Sequence, residues 1–83
     1  MNRDDLRKVL FEELRRLAPE ADLASLAPKA LIRDELDLDS YDFGRLITAV
    51  DQRLGIEIPE GDYARVETLD GWYRYLEEKR AKV

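Results

Sequence analysis

Between Asp34 and Asp42 the chain sets five carboxylates and one serine in nine residues, Asp34-Glu35-Leu36-Asp37-Leu38-Asp39-Ser40-Tyr41-Asp42, with no basic residue among them. Three kinds of chemistry compete for such a run. The first is calcium binding. An EF-hand loop needs glycine at its sixth position and glutamate at its twelfth. Counted from Glu35 those positions hold Ser40 and Leu46, and counted from Asp37 they hold Asp42 and Thr48. Both registers fail. The second is a helix start, since Asp and Ser cap helices and acids favour the positive end of the dipole. On that reading the cluster needs no further role. The third is covalent modification of Ser40. A serine at a helix mouth offers its hydroxyl beside unpaired backbone N–H groups, where a phosphodiester would be favoured. Neighbouring carboxylates could help a modifying enzyme hold Mg²⁺. The chain's other serine is Ser25.

Composition narrows the field further. Eighty-three residues suffice for one small domain over residues 1–83, and a 45% hydrophobic content can build its core. The chain has no cysteine and no histidine. That removes disulfides, thiolate metal sites, cysteine nucleophiles and the commonest general base. A serine hydrolase built on Ser40 would have only Lys or a carboxylate as base, so an enzyme is not expected. No apolar run reaches the length of a membrane span and no signal peptide opens the chain, which makes the cytoplasm the expected location.

Charge is distributed unevenly. Residues 34–70 carry three Lys/Arg against eleven Asp/Glu, a net of −8, between a segment 1–33 of net +1 and a segment 71–83 of net +2. Nucleic acid and anionic membranes would repel the middle segment, and a basic protein surface would be drawn to it.

Periodicity then supplies the elements that must position Ser40. Leu6, Val9, Leu10, Leu14 and Leu17 share one face of a first helix, with Asp4 or Asp5 as its cap and Pro19 as its stop. Residues 18–38 contain Pro19 and Pro28 and no sustained period. They read as a long connection pinned by its leucines, with a short helical turn near 22–26. Phe43, Leu46, Ile47, Val50 and Leu54 mark the second helix, which starts at Asp39 or Ser40 and stops at Gly55. Ile56-Glu57-Ile58-Pro59 is an extended connector with both isoleucines inward. Gly61 to Val66 forms a short third helix with Tyr63 and Val66 inward. Thr68 caps a last helix in which Leu69, Trp72, Tyr73 and Leu76 share a face. Gly71 weakens that helix by about 1 kcal/mol relative to alanine, while Lys79, Arg80 and Lys82 complement its dipole. The expected fold is all-α: a small four-helix bundle with a long first loop and a short third helix.

The run Leu36-Asp37-Leu38-Asp39-Ser40-Tyr41-Asp42, followed by an amphipathic helix and by Gly55-Ile56-Glu57-Ile58-Pro59, resembles the acyl carrier protein family along nearly the whole chain. The resemblance implies a four-helix bundle carrying 4′-phosphopantetheine on Ser40, the serine of its Asp39-Ser40 pair. It further implies that a phosphopantetheinyl transferase attaches the arm from coenzyme A. Asp39, Tyr41 and Asp42 are then expected to serve recognition by the transferase and later partners, with the second helix as the main docking face.

Two departures stand out. Tyr41 replaces the leucine that helps partner enzymes grip the family's carriers, and Asp37 replaces a common glycine, an exchange expected to stiffen the loop before the serine. Arg45 and Arg53 also accompany Asp42 and Asp51 on the second helix, making it less acidic than in a typical fatty-acid carrier and pointing to a specialised one. The resemblance allows the second, third and fourth helices to enclose an acyl chain bordered by Leu46, Ile47, Val50, Ile58, Tyr63, Leu69 and Trp72. The bulk of Trp72 is expected to leave little room there.

The leading expectation is a monomeric carrier of acyl thioesters for fatty-acid, polyketide or related lipid biosynthesis, served by enzymes with basic docking surfaces. The alternatives are an aminoacyl or peptidyl carrier and an unmodified acidic interaction domain in which Ser40 is only a cap.

Overall fold

A computed structural model describes residues 2–81, and side chains as far as residue 79. Lys82 and the side chain of Arg80, expected to complement the last helix dipole, lie outside the described residues. Helix α1 (Arg3–Leu17) starts two or three residues earlier than its acids imply. Asn2, not Asp4 or Asp5, is the cap: its side chain accepts from the Asp5 N–H at 2.9 Å, and the Asp5 carboxylate accepts from the Asn2 N–H at 3.2 Å. This is a reciprocal capping box, so Asp5 acts from the third helical position. The helix ends at Leu17, two residues before Pro19.

The connection that follows is more ordered than its sequence implies. A 3₁₀ turn covers Leu23–Ser25, as expected near 22–26, but a one-turn helix α2 (Ile32–Glu35) is an addition to the expected loop. A single turn presents no repeated apolar period, which is why it leaves no signal. Leu23, Ile32 and Leu38 are buried in the core. Two backbone bonds fasten the same stretch to the far end of the chain: Ile32 N–H donates to the Glu67 carbonyl at 2.9 Å, and Asp70 N–H to the Pro28 carbonyl at 3.0 Å.

Helix α3 (Ser40–Leu54) is the helix expected second, and Gly55 ends it in the left-handed region at φ 65°. Ile56–Pro59 is extended, with Ile58 buried and Ile56 half-buried. The short third helix is a 3₁₀ segment, Glu60–Val66, rather than an α-helix. Helix α4 (Leu69–Ala81) begins where Thr68 Oγ1 accepts from the Gly71 N–H at 3.0 Å. Its buried face holds Leu69, Trp72, Tyr73 and Leu76 as expected, and Tyr75 as well.

The architecture is therefore a small helical bundle. Helix α1 packs on α3 and α4, and α4 packs on the 3₁₀ segment. Leu6, Leu10, Leu14, Leu46, Val50, Val66, Trp72 and Leu76 are wholly buried at its centre. Gly71 has a structural reason that outweighs its helix penalty. A Cβ there would stand 2.3 Å from the Arg65 carbonyl oxygen, so glycine lets α4 approach the end of the 3₁₀ segment. Among the described residues no helix is long and apolar enough to cross a membrane.

Candidate functional site

Everything that precedes α3 aims Asp39 and Ser40 at the helix mouth. Helix α2 closes with Asp37 at φ 54° and with the Leu38 N–H donating to the Arg33 carbonyl at 2.9 Å. This is a left-handed terminator normally built with glycine. Asp37 thus holds the glycine-type geometry at the place where the resemblance expects glycine, because aspartate tolerates that region better than most residues. The chain leaves it through buried Leu38 and enters α3 at Asp39.

Asp39 is the cap. Its backbone is extended (φ −82°, ψ 177°), its carboxylate accepts from the Asp42 N–H at 2.8 Å, and its carbonyl accepts from the Phe43 N–H at 3.0 Å. Phe43, 5% exposed, anchors the first turn in the core. Ser40 is consequently the first helical residue and not the cap. It is exposed, and no hydrogen bond holds its hydroxyl among the described residues. The N–H groups of Ser40 and Tyr41 are left open at the positive end of the helix, where an anion attached to Ser40 would be favoured. An exposed, unengaged hydroxyl beside two open N–H groups is a set of donors that fits a phosphodiester linkage.

The remaining predicted residues surround that hydroxyl. Tyr41 is 73% exposed, the most exposed of the large hydrophobic side chains described. Asp42 is half-buried, while Asp34, Glu35, Asp37 and Asp39 are exposed. These acids form a charged approach to Ser40; among the described residues no group of three or more His, Cys, Asp or Glu is arranged to hold a metal ion.

A groove of about 590 Å³ runs from Ser40 along α3, bounded by Tyr41, Gly44, Arg45, Thr48, Ala49 and Gln52 and, across from them, by Glu60 and Tyr63. A separate groove of about 680 Å³ lies between α1 and residues 21–24. Of the residues expected to border an acyl chain, Leu46, Ile47, Val50, Ile58, Leu69 and Trp72 are buried, and Tyr63 stands half-buried at the rim of the Ser40 groove.

The charges expected to share one docking face turn out to have different duties. Arg53 turns to α1, pairing with Glu13 at 2.9 Å and Glu12 at 3.4 Å. Glu13 is 4% exposed, which explains a charged residue on the buried side of α1. Asp51 accepts from the Ile58 N–H at 3.3 Å and so fixes the connector. That leaves Asp42 and Arg45 near Ser40. Arg45 lies over the Tyr41 ring, 5.9 Å from its centroid. The placement of Arg45 in the Ser40 groove was not anticipated, although the four-residue spacing from Tyr41 is the signal for it.

Comparison with known proteins agrees with this arrangement. The chain is 27% identical over 77 residues to the acyl carrier proteins of Helicobacter pylori strains G27 and HPAG1, covering 93% of this chain and 92% of theirs. It is 26% identical over the same length to that of strain ATCC 700392 / 26695. Residues 4–76 match the family described as "Phosphopantetheine attachment site". Because that match takes in α1, the capped serine, all of α3 and most of α4, the chain belongs to the phosphopantetheine-attachment family.

Proposed function

We propose that Ser40 is the attachment point of 4′-phosphopantetheine and that the protein is an acyl carrier. The observation that carries the assignment is the division of labour at the start of α3. Asp39 satisfies the helix cap, so the Ser40 hydroxyl is free of any structural duty. A serine needed only as a cap would have its oxygen on a backbone N–H, and here that place is taken by a carboxylate.

In the loading step Ser40 Oγ attacks the coenzyme A phosphorus that bears the pantetheine. A new Oγ–P bond replaces the P–O bond to 3′,5′-ADP, which leaves, and the hydroxyl proton passes to the transferase. The group so attached supplies a terminal thiol on which an acyl chain is held as a thioester. Asp39 and Asp42 present negative charge beside Ser40 to a basic transferase surface, and Tyr41 offers an apolar contact. With neither histidine nor cysteine in the chain, the bond-making belongs to the transferase and to acyl-transferring or synthase enzymes. The name shared by the Helicobacter relatives favours acyl over aminoacyl cargo.

Intact mass after incubation with coenzyme A, Mg²⁺ and a broad-specificity phosphopantetheinyl transferase tests the assignment. The wild type gains one phosphopantetheine. Ser40→Ala gains none and keeps its melting temperature, since the side chain it loses makes no contact that the helix needs. Loading of Ser40→Ala, or none of the folded wild type, overturns the assignment.

A further inference from the structure

Among the described residues four arginines have a carboxylate partner: Arg3 with Glu77, Arg16 with Glu13, Arg53 with Glu12 and Glu13, and Arg65 with Glu78. Arg7, Arg15, Arg33 and Arg74 have none there and lie away from the Ser40 groove. Arg45 makes no ion pair among the described residues, although it sits next to the most acidic stretch of the sequence. Its described contact is the ring of Tyr41. It is also the cation among the residues bounding the groove that opens at Ser40, whose far wall carries Glu60.

The shape of that groove bears on what lies in it. Ser40, Gly44, Thr48 and Gln52 recur every four residues, so they form one row along α3. Twelve residue steps separate the ends of the row, roughly 18 Å at the helical rise. Gly44 leaves its floor open: a Cβ there would meet nothing within 4 Å. A chain attached to Ser40 therefore finds an open track beginning at its own anchor.

Resting on the assignment of Ser40 above, we propose that Arg45 is the counter-ion of the phosphodiester formed on Ser40 and starts the arm along the α3 groove. The diester carries one negative charge and bare acceptor oxygens. A guanidinium supplies paired N–H donors that match them. Tyr41 holds the Arg45 head over the first turns of α3, and Glu60 repels the diester from the opposite wall. The two open N–H groups of the helix start add to the attraction on the Ser40 side.

The test compares loaded wild type, Arg45→Ala and Arg45→Lys, each first shown by intact mass to carry one arm. The ³¹P resonance of the Ser40 diester is followed from low to high salt, and the arm's thiol is titrated with a small aromatic disulfide. In the wild type the resonance moves with salt toward the position it holds in Arg45→Ala, where it is insensitive to salt. The wild-type thiol reacts about twofold to threefold more slowly than that of Arg45→Ala at low salt, the size expected of an exposed pair. Arg45→Lys restores part of the difference and high salt abolishes it. Matching ³¹P shifts and thiol rates in wild type and Arg45→Ala overturn the proposal. So does a change confined to the KM of the transferase, which would make Arg45 a contact for the enzyme instead. Failure of the wild type to gain mass is a separate result and rejects Ser40 itself.

Discussion

The start of α3 and the junction of α4 with the 3₁₀ segment are made of the same residue types put to opposite uses. Tyr41 is 73% exposed, whereas Tyr75 is wholly buried and donates to Asp62 Oδ2 at 2.7 Å. Arg45 makes no ion pair among the described residues, whereas Arg65 is paired with Glu78 and lies over the Tyr75 ring. Gly44 faces open space, and Gly71 faces a backbone carbonyl. Even the caps differ, since Asp39 leaves a free serine next to it and Thr68 leads directly into buried Leu69. Helix α4 is held to the 3₁₀ segment through Gly71, Tyr75 and Glu78, and to α1 through Glu77. The first turns of α3 have their cap and their Phe43 anchor, and Ser40, Tyr41 and Arg45 there stay exposed.

The sharpest way to break this contrast is to add one methyl group at each glycine. In Gly71→Ala the new Cβ stands 2.3 Å from the Arg65 carbonyl oxygen, so either α4 or the end of the 3₁₀ segment must move. Overpacking of that kind costs about 1–3 kcal/mol, and the improved helix propensity returns only about 1 kcal/mol. Gly71→Ala should lower stability by up to about 2 kcal/mol in urea denaturation. Gly44→Ala has no such obstacle and should gain about 0.5–1 kcal/mol. Equal effects at the two glycines would remove the distinction between the regions.

A second test uses pH. Burial, and then the bond to Asp62, push the Tyr75 hydroxyl up to about 12 from its ordinary 10.0. The folded state thus holds this proton more tightly than the unfolded state. The resulting stabilisation is complete below about pH 10 and is lost as pH rises from there toward 12. Tyr75→Phe removes the donor and leaves the half-buried Asp62 carboxylate without it, which should cost about 1 kcal/mol at neutral pH. The same substitution should flatten the fall in melting temperature between pH 10 and 12. Burial also raises Tyr73, so some alkaline loss persists in the variant.

What could be read from the sequence follows a physical rule. Elements with several turns and an apolar face were legible, and so were punctuating residues: α1, α3 and α4, the stop at Gly55, the cap at Thr68 and the inward Ile58 all emerge from spacing. Ser40 stood out as a candidate because few residues of the chain can do chemistry. Three kinds of feature were not. Helix α2 is a single turn held by distant backbone bonds to Glu67, and no local pattern encodes those. The cap of α1 depends on a reciprocal bond between Asn2 and Asp5, so counting acids points two or three residues too late. The duties of Arg53, Asp51 and Arg45 depend on which neighbour each meets in three dimensions. Identical spacing on α3 gave no means of separating an internal ion pair from a free cation.

The smallest expected effect concerns the loop that delivers the chain to Ser40. Two left-handed terminators occur among the described residues, Gly55 after α3 and Asp37 after α2, at φ 65° and φ 54°. Both are closed by a bond that reaches back five residues, Ile56 N–H to the Asp51 carbonyl at 3.3 Å and Leu38 N–H to the Arg33 carbonyl at 2.9 Å. They are one motif built with two residues, so the cost of the side chain can be measured at Asp37. Left-handed backbone costs an L-residue about 1–2 kcal/mol, less for aspartate, while glycine loses about 0.5–1 kcal/mol through its freer unfolded chain. Asp37→Gly should therefore raise stability by no more than about 0.5 kcal/mol, and Asp37→Ala should lower it by about 1 kcal/mol. Asp37→Gly keeps the geometry leading to Asp39, so its rate of loading at Ser40 should match the wild type at high salt. Removing one of the acids before Ser40 should slow loading only at low salt, where attraction to a basic transferase counts. If glycine slowed loading at every salt concentration, aspartate would be holding the loop in a way that the backbone geometry alone does not explain.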